Sequence, residues 1–166
     1  MAKNFWKVVN DVLKKADIIV VVADARIPQS VNTEVLRKIE RMGKHYLIVF
    51  NKADLLDAEQ KSDLREAMKQ YEYCMAVSAK RHNQTMTLLR KLNALTRGKE
   101  ARVGVVGYPN TGKSSVINAI KGKHAASVSS QAGHTKGVQN VRATGKLMLL
   151  DTPGVIPFDS KDAAMH

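Results

Sequence analysis

Apolar residues recur along this chain in two rhythms, and the rhythms alternate. Between residues 4 and 15 (NFWKVVNDVLKK), Phe5, Val9, Val12 and Leu13 fall at helical spacing, which predicts an amphipathic opening helix with Trp6 as a packing residue. From Asp17 to Val22 (DIIVVV) the apolar run has no alternation, the mark of a strand covered on both faces, as in a parallel sheet. Asn32–Met42 predicts a helix, with Asn32 as N-cap and Gly43 just past the end. His45–Phe50 predicts the next strand and Ala58–Gln70 a helix with Leu64 and Met68 on one face. Tyr73–Val77 predicts a third strand, and Thr85–Arg97 a helix with Leu88, Leu92 and Leu95 inward. Val103–Val106 is a further buried strand, and Val116–Ile120 begins a helix. Gly122–Gly133 has little periodicity and many small polar residues, so it reads as a loop. Val138–Thr144 and Leu147–Leu150 predict a hairpin pair around Gly145, and the residues after Gly154 show no clear element. Strand and helix in alternation predict a doubly wound α/β sheet.

Composition narrows the class. The chain has 166 residues, 44% of them hydrophobic and 25% charged, which suits one globular domain with a sizeable core. No apolar run reaches membrane-spanning length, so no membrane partner is expected. The N-terminal stretch has no apolar signal core, carries Asp11 and lacks arginine, so it fits neither a signal nor a transit peptide. Cys74 is the sole cysteine, which excludes an internal disulfide framework and fits a reducing cytoplasm. His45, His82, His124, His134 and His166 are scattered, with no zinc spacing to Cys74. Lys and Arg total 27 against 15 Asp and Glu, a net charge of +12 that suits a polyanionic partner such as RNA or anionic lipid. Between Ala101 and Leu150 there is no acidic residue, but Arg102, Lys113, Lys121, Lys123, Lys136, Arg142 and Lys146. Most of these flank the 122–133 loop, which makes a nucleotide-dependent RNA contact plausible beside the plainer reading of solvated surface.

Chemistry enters at Gly107–Ser115, GYPNTGKSS, between an apolar strand and a helix. Gly-x-x-x-x-Gly-Lys-Ser at such a junction is a phosphate-binding loop. Glycines allow the tight turn. The backbone N–H groups of Asn110, Thr111, Gly112, Lys113, Ser114 and Ser115, with the helix N-terminus, would face the phosphates. Lys113 would bridge the β- and γ-phosphates and the Ser114 hydroxyl would ligate magnesium. Other polar groups sit where ligands bind in parallel sheets, beyond the carboxyl ends of the strands. Asp24 and Arg26 follow the first strand; the same pair could simply close a turn.

Asn51-Lys52-Ala53-Asp54 follows the second strand and resembles the guanine-recognition motif of GTPases. Guanine presents N1–H and an exocyclic amine side by side, and the Asp54 carboxylate would accept from both. Adenine would leave that carboxylate unpaired, a mismatch worth about four powers of ten in favourable cases. Lys52 would cover one face of the base and Asn51 would brace the phosphate loop. Ser78-Ala79-Lys80 matches the second base-contact motif of the same proteins: Ala79 N–H would donate to guanine O6, Ser78 would orient Asp54, and Lys80 would cover the other face. Asp151-Thr152-Pro153-Gly154 would complete the phosphate end, with Asp151 holding magnesium through water and Gly154 N–H touching the γ-phosphate. Thr135 would be the switch threonine that ligates magnesium.

The order of these motifs is NKAD, SAK, GYPNTGKS, Thr135, DTPG, whereas ordinary GTPases place the phosphate loop first. The chain thus resembles the circularly permuted GTPases of the YlqF/YawG type, which act in ribosome assembly, and Asp24–Pro28 (DARIP) is similar to a stretch they carry. The resemblance implies a single three-layer P-loop GTPase domain over residues 1–166, with a mostly parallel six-stranded sheet and one antiparallel edge strand. Its base-recognition half would be 1–97, its joint 98–100 and its phosphate-binding half 101–166. Permutation is tolerable because domain termini lie at the surface, often close together. The family usually continues into a helical domain that touches RNA; this sequence stops soon after Gly154 and is expected to be a short or truncated member.

Val155 stands where many GTPases carry a water-orienting glutamine, and valine cannot position water. Asn110 resembles the asparagine that in some such enzymes ligates potassium beside the phosphates; a simple turn role is the alternative. The expected function is slow hydrolysis of GTP to GDP and phosphate with Mg2+, and with K+ if Asn110 serves it. The protein would be a cytoplasmic, RNA-binding switch on the large ribosomal subunit. The alternative is a guanine-nucleotide-dependent binding module with negligible turnover. An ATPase is disfavoured by Asp54.

Overall fold

A computed structural model of the chain describes residues 2–81, 84–121 and 146–150, with side chains from Phe5 onward. Helix α1 spans Ala2–Lys15, strand β1 Ile18–Asp24, helix α2 Thr33–Arg41 and strand β2 His45–Asn51. Helix α3 spans Ala58–Met68, strand β3 Cys74–Ala76, helix α4 Thr85–Leu95 and strand β4 Ala101–Gly107. Helix α5 covers 113–121 and strand β5 Leu147–Leu149.

The described strands form one sheet in the order β3-β2-β1-β4-β5, and every pairing is parallel. Parallel neighbours need crossovers, and the helices supply them on both faces. That is why β1 is buried at all seven positions and reads as an uninterrupted apolar run. Successive residues point to opposite faces. Ile18, Val20 and Val22 join Leu88, Leu89 and Leu92 of α4 and Val116 and Ile120 of α5. Ile19, Val21 and Ala23 join Val9, Val12 and Leu13 of α1 with Val35 and Ile39 of α2. Three layers result, with α4 and α5 on one face and α1, α2 and α3 on the other.

Every helix and strand predicted within the described residues is found, with shifted ends. β1 runs on to Asp24 because Ala23 and Asp24 stay in register with Phe50 and Asn51 of β2. Helices α3 and α4 stop two residues before their predicted ends. Asn32 caps α2 as expected, its Oδ1 accepting from the N–H groups of Glu34 and Val35 at 3.0 and 3.2 Å. The expected joint at 98–100 is a short turn leaving α4, with Gly98 N–H donating to Asn93 O at 2.9 Å. β5 lies parallel to β4, with Leu147 opposite Ala101. Its expected hairpin partner at 138–144, which would have been the antiparallel edge strand, lies outside the described residues, so five strands rather than six are described.

Gly104 fixes one close approach. A Cβ there would collide with Val12 and Ala16, so α1 lies directly on the strand that feeds the phosphate loop.

Candidate functional site

The carboxyl ends of β1, β2 and β4 and the turn after β3 converge on one edge of the sheet. β4 ends at Gly107 and α5 begins at 113, so the turn between them comprises residues 108–112. Asn110 and Gly112 take left-handed backbone angles, φ 70 and 84°. Asparagine tolerates that region better than most residues, which supports its turn role. Gly112 has a second requirement: an added Cβ would collide with the Asn51 amide. At Gly107 a Cβ would stand 2.8 Å from Val22 O. Both glycines are thus required because the loop packs directly against Asn51 and β1. Thr111 Oγ1 donates to Tyr108 O at 2.8 Å and closes the turn. Lys113, at the start of α5, is buried, with Nζ 3.3 Å from Gly107 O. Ser114 and Ser115 occupy the first turn of α5 and are partly exposed.

Asn51 joins this loop to the base motifs. Its buried side chain donates from Nδ2 to Thr111 O at 3.1 Å, and its Oδ1 accepts from Ala79 N–H at 3.0 Å. The expected brace is present. The expected donor to guanine O6, Ala79 N–H, is already held by Asn51, so a base at that position would have to share or take the proton. Lys52 sits at φ 69° and reaches back to donate to Asn110 O at 2.7 Å, with Asp24 Oδ2 at 3.6 Å from the same ammonium.

At Asp54 the carboxylate is doubly bound. Ser78 Oγ donates to Oδ1 at 2.7 Å, the orienting contact expected from sequence. Arg81 Nε lies 3.1 Å from Oδ2. The Ser78 hydrogen bond, helped by the Arg81 and Lys80 charges against some desolvation, holds the Asp54 carboxyl below the usual range. Lys80 is exposed beside it. Asp24 is buried and bound by Arg26, Nη2 to Oδ2 at 2.7 Å and Nε to Oδ1 at 3.0 Å. Burial alone would raise its pKa, but these bonds and the Arg26 and Lys52 charges bring it below the ordinary value. The turn-closing role of this pair is therefore the one seen, with an added contact to Lys52.

Thr135, Asp151, Gly154 and Val155 lie outside the described residues, so the magnesium and water-positioning expectations placed on them have no geometry here. Among the described residues no group of three or more His, Cys, Asp or Glu side chains could hold a metal. Ser114 alone of the expected magnesium ligands is described.

Residues 102–166 match the family model for "50S ribosome-binding GTPase". The chain is also 43% identical over 162 residues to an uncharacterized GTP-binding protein of Methanocaldococcus jannaschii, covering 94% of this chain and 42% of that one. Both similarities are to GTP-binding proteins or GTPases. Nuclear/nucleolar GTPase 2 of Arabidopsis thaliana is 35% identical over 170 residues, covering 97% of this chain and 29% of the relative. Nucleolar GTP-binding protein 2 of Saccharomyces cerevisiae is 32% identical over 171 residues, covering 98% and 35%. The chain thus spans less than half the length of these curated relatives. The crystal structure of YjeQ from Thermotoga maritima superposes with a TM-score of 0.50 at 24% identity, over 63% of this chain and 37% of that one, a likeness of fold.

Two features of this site escaped the sequence. One is Arg81 on Asp54; a basic residue next to the SAK tripeptide was the available signal. The other holds the phosphate loop from outside. The Tyr108 ring stacks on Phe5 of α1 with centroids 4.9 Å apart, and Asn32 Nδ2 donates to Tyr108 Oη at 2.6 Å. Tyr108 and Asn32 are separated by 76 positions, and no local pattern announces such a pair. Trp6 packs as expected, edge-on to Phe5 with the Lys38 ammonium 4.8 Å from its ring centre.

Proposed function

We propose that this chain binds GTP, with Mg2+, at the carboxyl edge of the sheet and hydrolyses it slowly to GDP and phosphate, as a circularly permuted GTPase of the YlqF/YawG type. One observation carries the reading: the Asn51 side chain binds the phosphate loop through Thr111 and the base loop through Ala79. The NKAD motif precedes the phosphate loop by more than fifty positions, yet the two form one continuous site. Residues 98–100 would then be the joint between the former termini of a single domain.

In this reading Asp54 accepts from guanine N1–H and the 2-amine, with Ser78 keeping its carboxylate aimed. Lys52 and Lys80 lie along the faces of the base. Lys113 and the backbone N–H groups of the loop hold the β- and γ-phosphates and stabilise the charge that develops as water attacks in line. Ser114, with Thr135 and Asp151, would hold the magnesium ion, which supplies charge neutralisation between the β- and γ-oxygens when bound. Asn110 would ligate a potassium ion. The absence of a glutamine at Val155 is the reason to expect slow turnover. Relatives named as nucleolar GTP-binding proteins and a family model named for 50S binding point to the large ribosomal subunit, or its RNA, as the partner. The net charge of +12 suits such a partner.

Val155 also favours a second reading, a guanine-nucleotide-dependent binding module without turnover. Phosphate release under multiple turnover, with GTP or ATP and Mg2+, with and without large ribosomal subunits, tests both. The proposal expects slow, GTP-selective release that subunits accelerate and that Lys113→Ala abolishes. GTP binding with no release above that variant would leave the binding module; equal release from ATP would remove the base assignment.

A further inference from the structure

The Asp54 carboxylate has two oxygens, and in this structure both are partnered by the protein: Oδ1 by the Ser78 hydroxyl and Oδ2 by Arg81 Nε. The Ser78 bond is compatible with a bound base, because a carboxylate oxygen has a second lone pair. The Arg81 contact is different. A guanidinium presents planar N–H donors to a carboxylate, and so does the N1–H and 2-amine edge of guanine. Both would draw on Oδ2, so a base arriving at Asp54 meets the guanidinium as a rival for charge and for space beside that oxygen. Arg81 is also placed to leave: its side chain is 70% exposed, whereas that of Asp54 is 19% exposed. Its backbone is fixed by a turn, with Arg81 N–H donating to Ser78 O at 3.2 Å, so the guanidinium swings from a fixed root.

We propose that Arg81 is a built-in competitor for the base subsite, a residue that sets nucleotide affinity and association rate by occupying Asp54 in the empty protein. This rests on the reading of Asp54 as the base-recognising carboxylate. While Arg81 is in place the carboxylate is neutralised and the site is self-satisfied, so it does not attract stray cations or amines. Guanine competes with the guanidinium for Asp54, and the nucleotide's own donors take over the charge that the ion pair had offset. Base selectivity is untouched, since Asp54 does the reading whichever nucleotide arrives. The competition is electrostatic and exposed, so it weakens with salt. An exposed ion pair of this kind alters an equilibrium by about two- to fivefold.

Stopped-flow association and equilibrium titration of ribose-labelled GDP, with IDP as competitor, test this on the full chain and on Arg81→Ala and Arg81→Lys. IDP lacks the 2-amine, so its weaker binding reports whether Asp54 reads the base. The proposal expects Arg81→Ala to bind GDP about two- to fivefold faster and tighter, with the GDP-over-IDP preference unchanged. Arg81→Lys should remain near the wild type because it keeps the charge. Raising the salt should shrink the gap between wild type and Arg81→Ala. A preserved preference with unchanged, slower or weaker GDP binding in Arg81→Ala would overturn the competitor role and leave Arg81 as a bystander or a nucleotide contact. Equal binding of GDP and IDP by the wild type would overturn the reading of Asp54, and the proposal with it.

Discussion

At the base end of the site, Asp54 takes its bonds from Ser78 and Arg81, both in the turn that follows β3. At the phosphate end, the loop between β4 and α5 takes its bonds from far back in the chain: Asn51, Lys52, Asn32 and Phe5. The base end is a compact unit whose polar groups satisfy one another before any ligand arrives. The phosphate loop holds its shape because the other half of the chain is packed beside it. Left-handed Asn110 shows what this asks of the backbone: its carbonyl is held by the Lys52 ammonium at 2.7 Å, in a conformation costing on the order of 1 kcal/mol for a residue other than glycine. A change in the base loops should therefore alter which nucleotide binds. A change at the distant supports of the phosphate loop should alter how tightly any nucleotide binds.

At the phosphate end the largest effect is expected at Lys113. If Lys113 makes the proposed charged contact to the phosphates, Lys113→Ala should weaken GDP and GTP by about 10- to 150-fold, the equivalent of ~1.5–3 kcal/mol, without changing base preference. Retained affinity in a calorimetric titration would make the loop a structural turn.

Asn51 is where the two regions meet, so breaking it should cost both. Asn51→Ala leaves the buried Ala79 N–H and the Thr111 carbonyl without their partner, about 1–3 kcal/mol of stability. A thermal melt should then fall by about 2–4 °C per kcal/mol in a domain of this size. An unchanged melt would mean the two loops are joined by something other than this amide.

Phe5 meets the loop between β4 and α5 through the Tyr108 ring. Phe5→Ala removes the ring stack, worth ~0.5–1.5 kcal/mol, and should weaken GDP and IDP alike by about two- to tenfold. A loss confined to GDP would place α1 at the base end instead and reverse the contrast.

Most of the architecture was legible because parallel strands buried on both faces leave an unmistakable apolar run, as β1 does. The motifs were legible because their chemistry is packed into adjacent residues: Ser78 on Asp54 and Asn51 on the phosphate loop follow from the tetrapeptides and their strands. Apart from Arg81, which follows the SAK tripeptide directly, what escaped has no local signature. Tyr108 finds Phe5 where α1 lies on β4 near Gly104, and Asn32 at the head of α2, two elements remote in sequence. Ala79 N–H is taken by Asn51 because the empty site satisfies its own donors, which a motif describing a bound base does not convey. Strand ends shifted because register with a neighbour, not composition, decides where pairing stops, as at Asp24.

The smallest effect expected is in acid. The carboxyls of Asp24 and Asp54 have folded pKa values below the ordinary aspartate value of 3.8. Carboxylates shifted this way stabilise the fold fully above the unfolded pKa, and the contribution is lost as pH falls toward the folded value. Thermal melts should therefore hold steady from pH 7 down to about 5 and decline from about pH 4 downward, less steeply in Asp24→Asn. A melt that rises on acidification through that range would show the shifts to have the opposite sign.

The central claim is that Asp54 reads guanine at a site whose phosphate end lies across the chain. It is tested most directly by titrating wild type and Asp54→Asn with GDP and with xanthosine diphosphate, whose 2-position is a carbonyl acceptor. The account predicts that wild type prefers GDP and that Asp54→Asn loses GDP binding by upward of about a hundredfold while gaining xanthosine diphosphate. The same nucleotide preference in both proteins would contradict it.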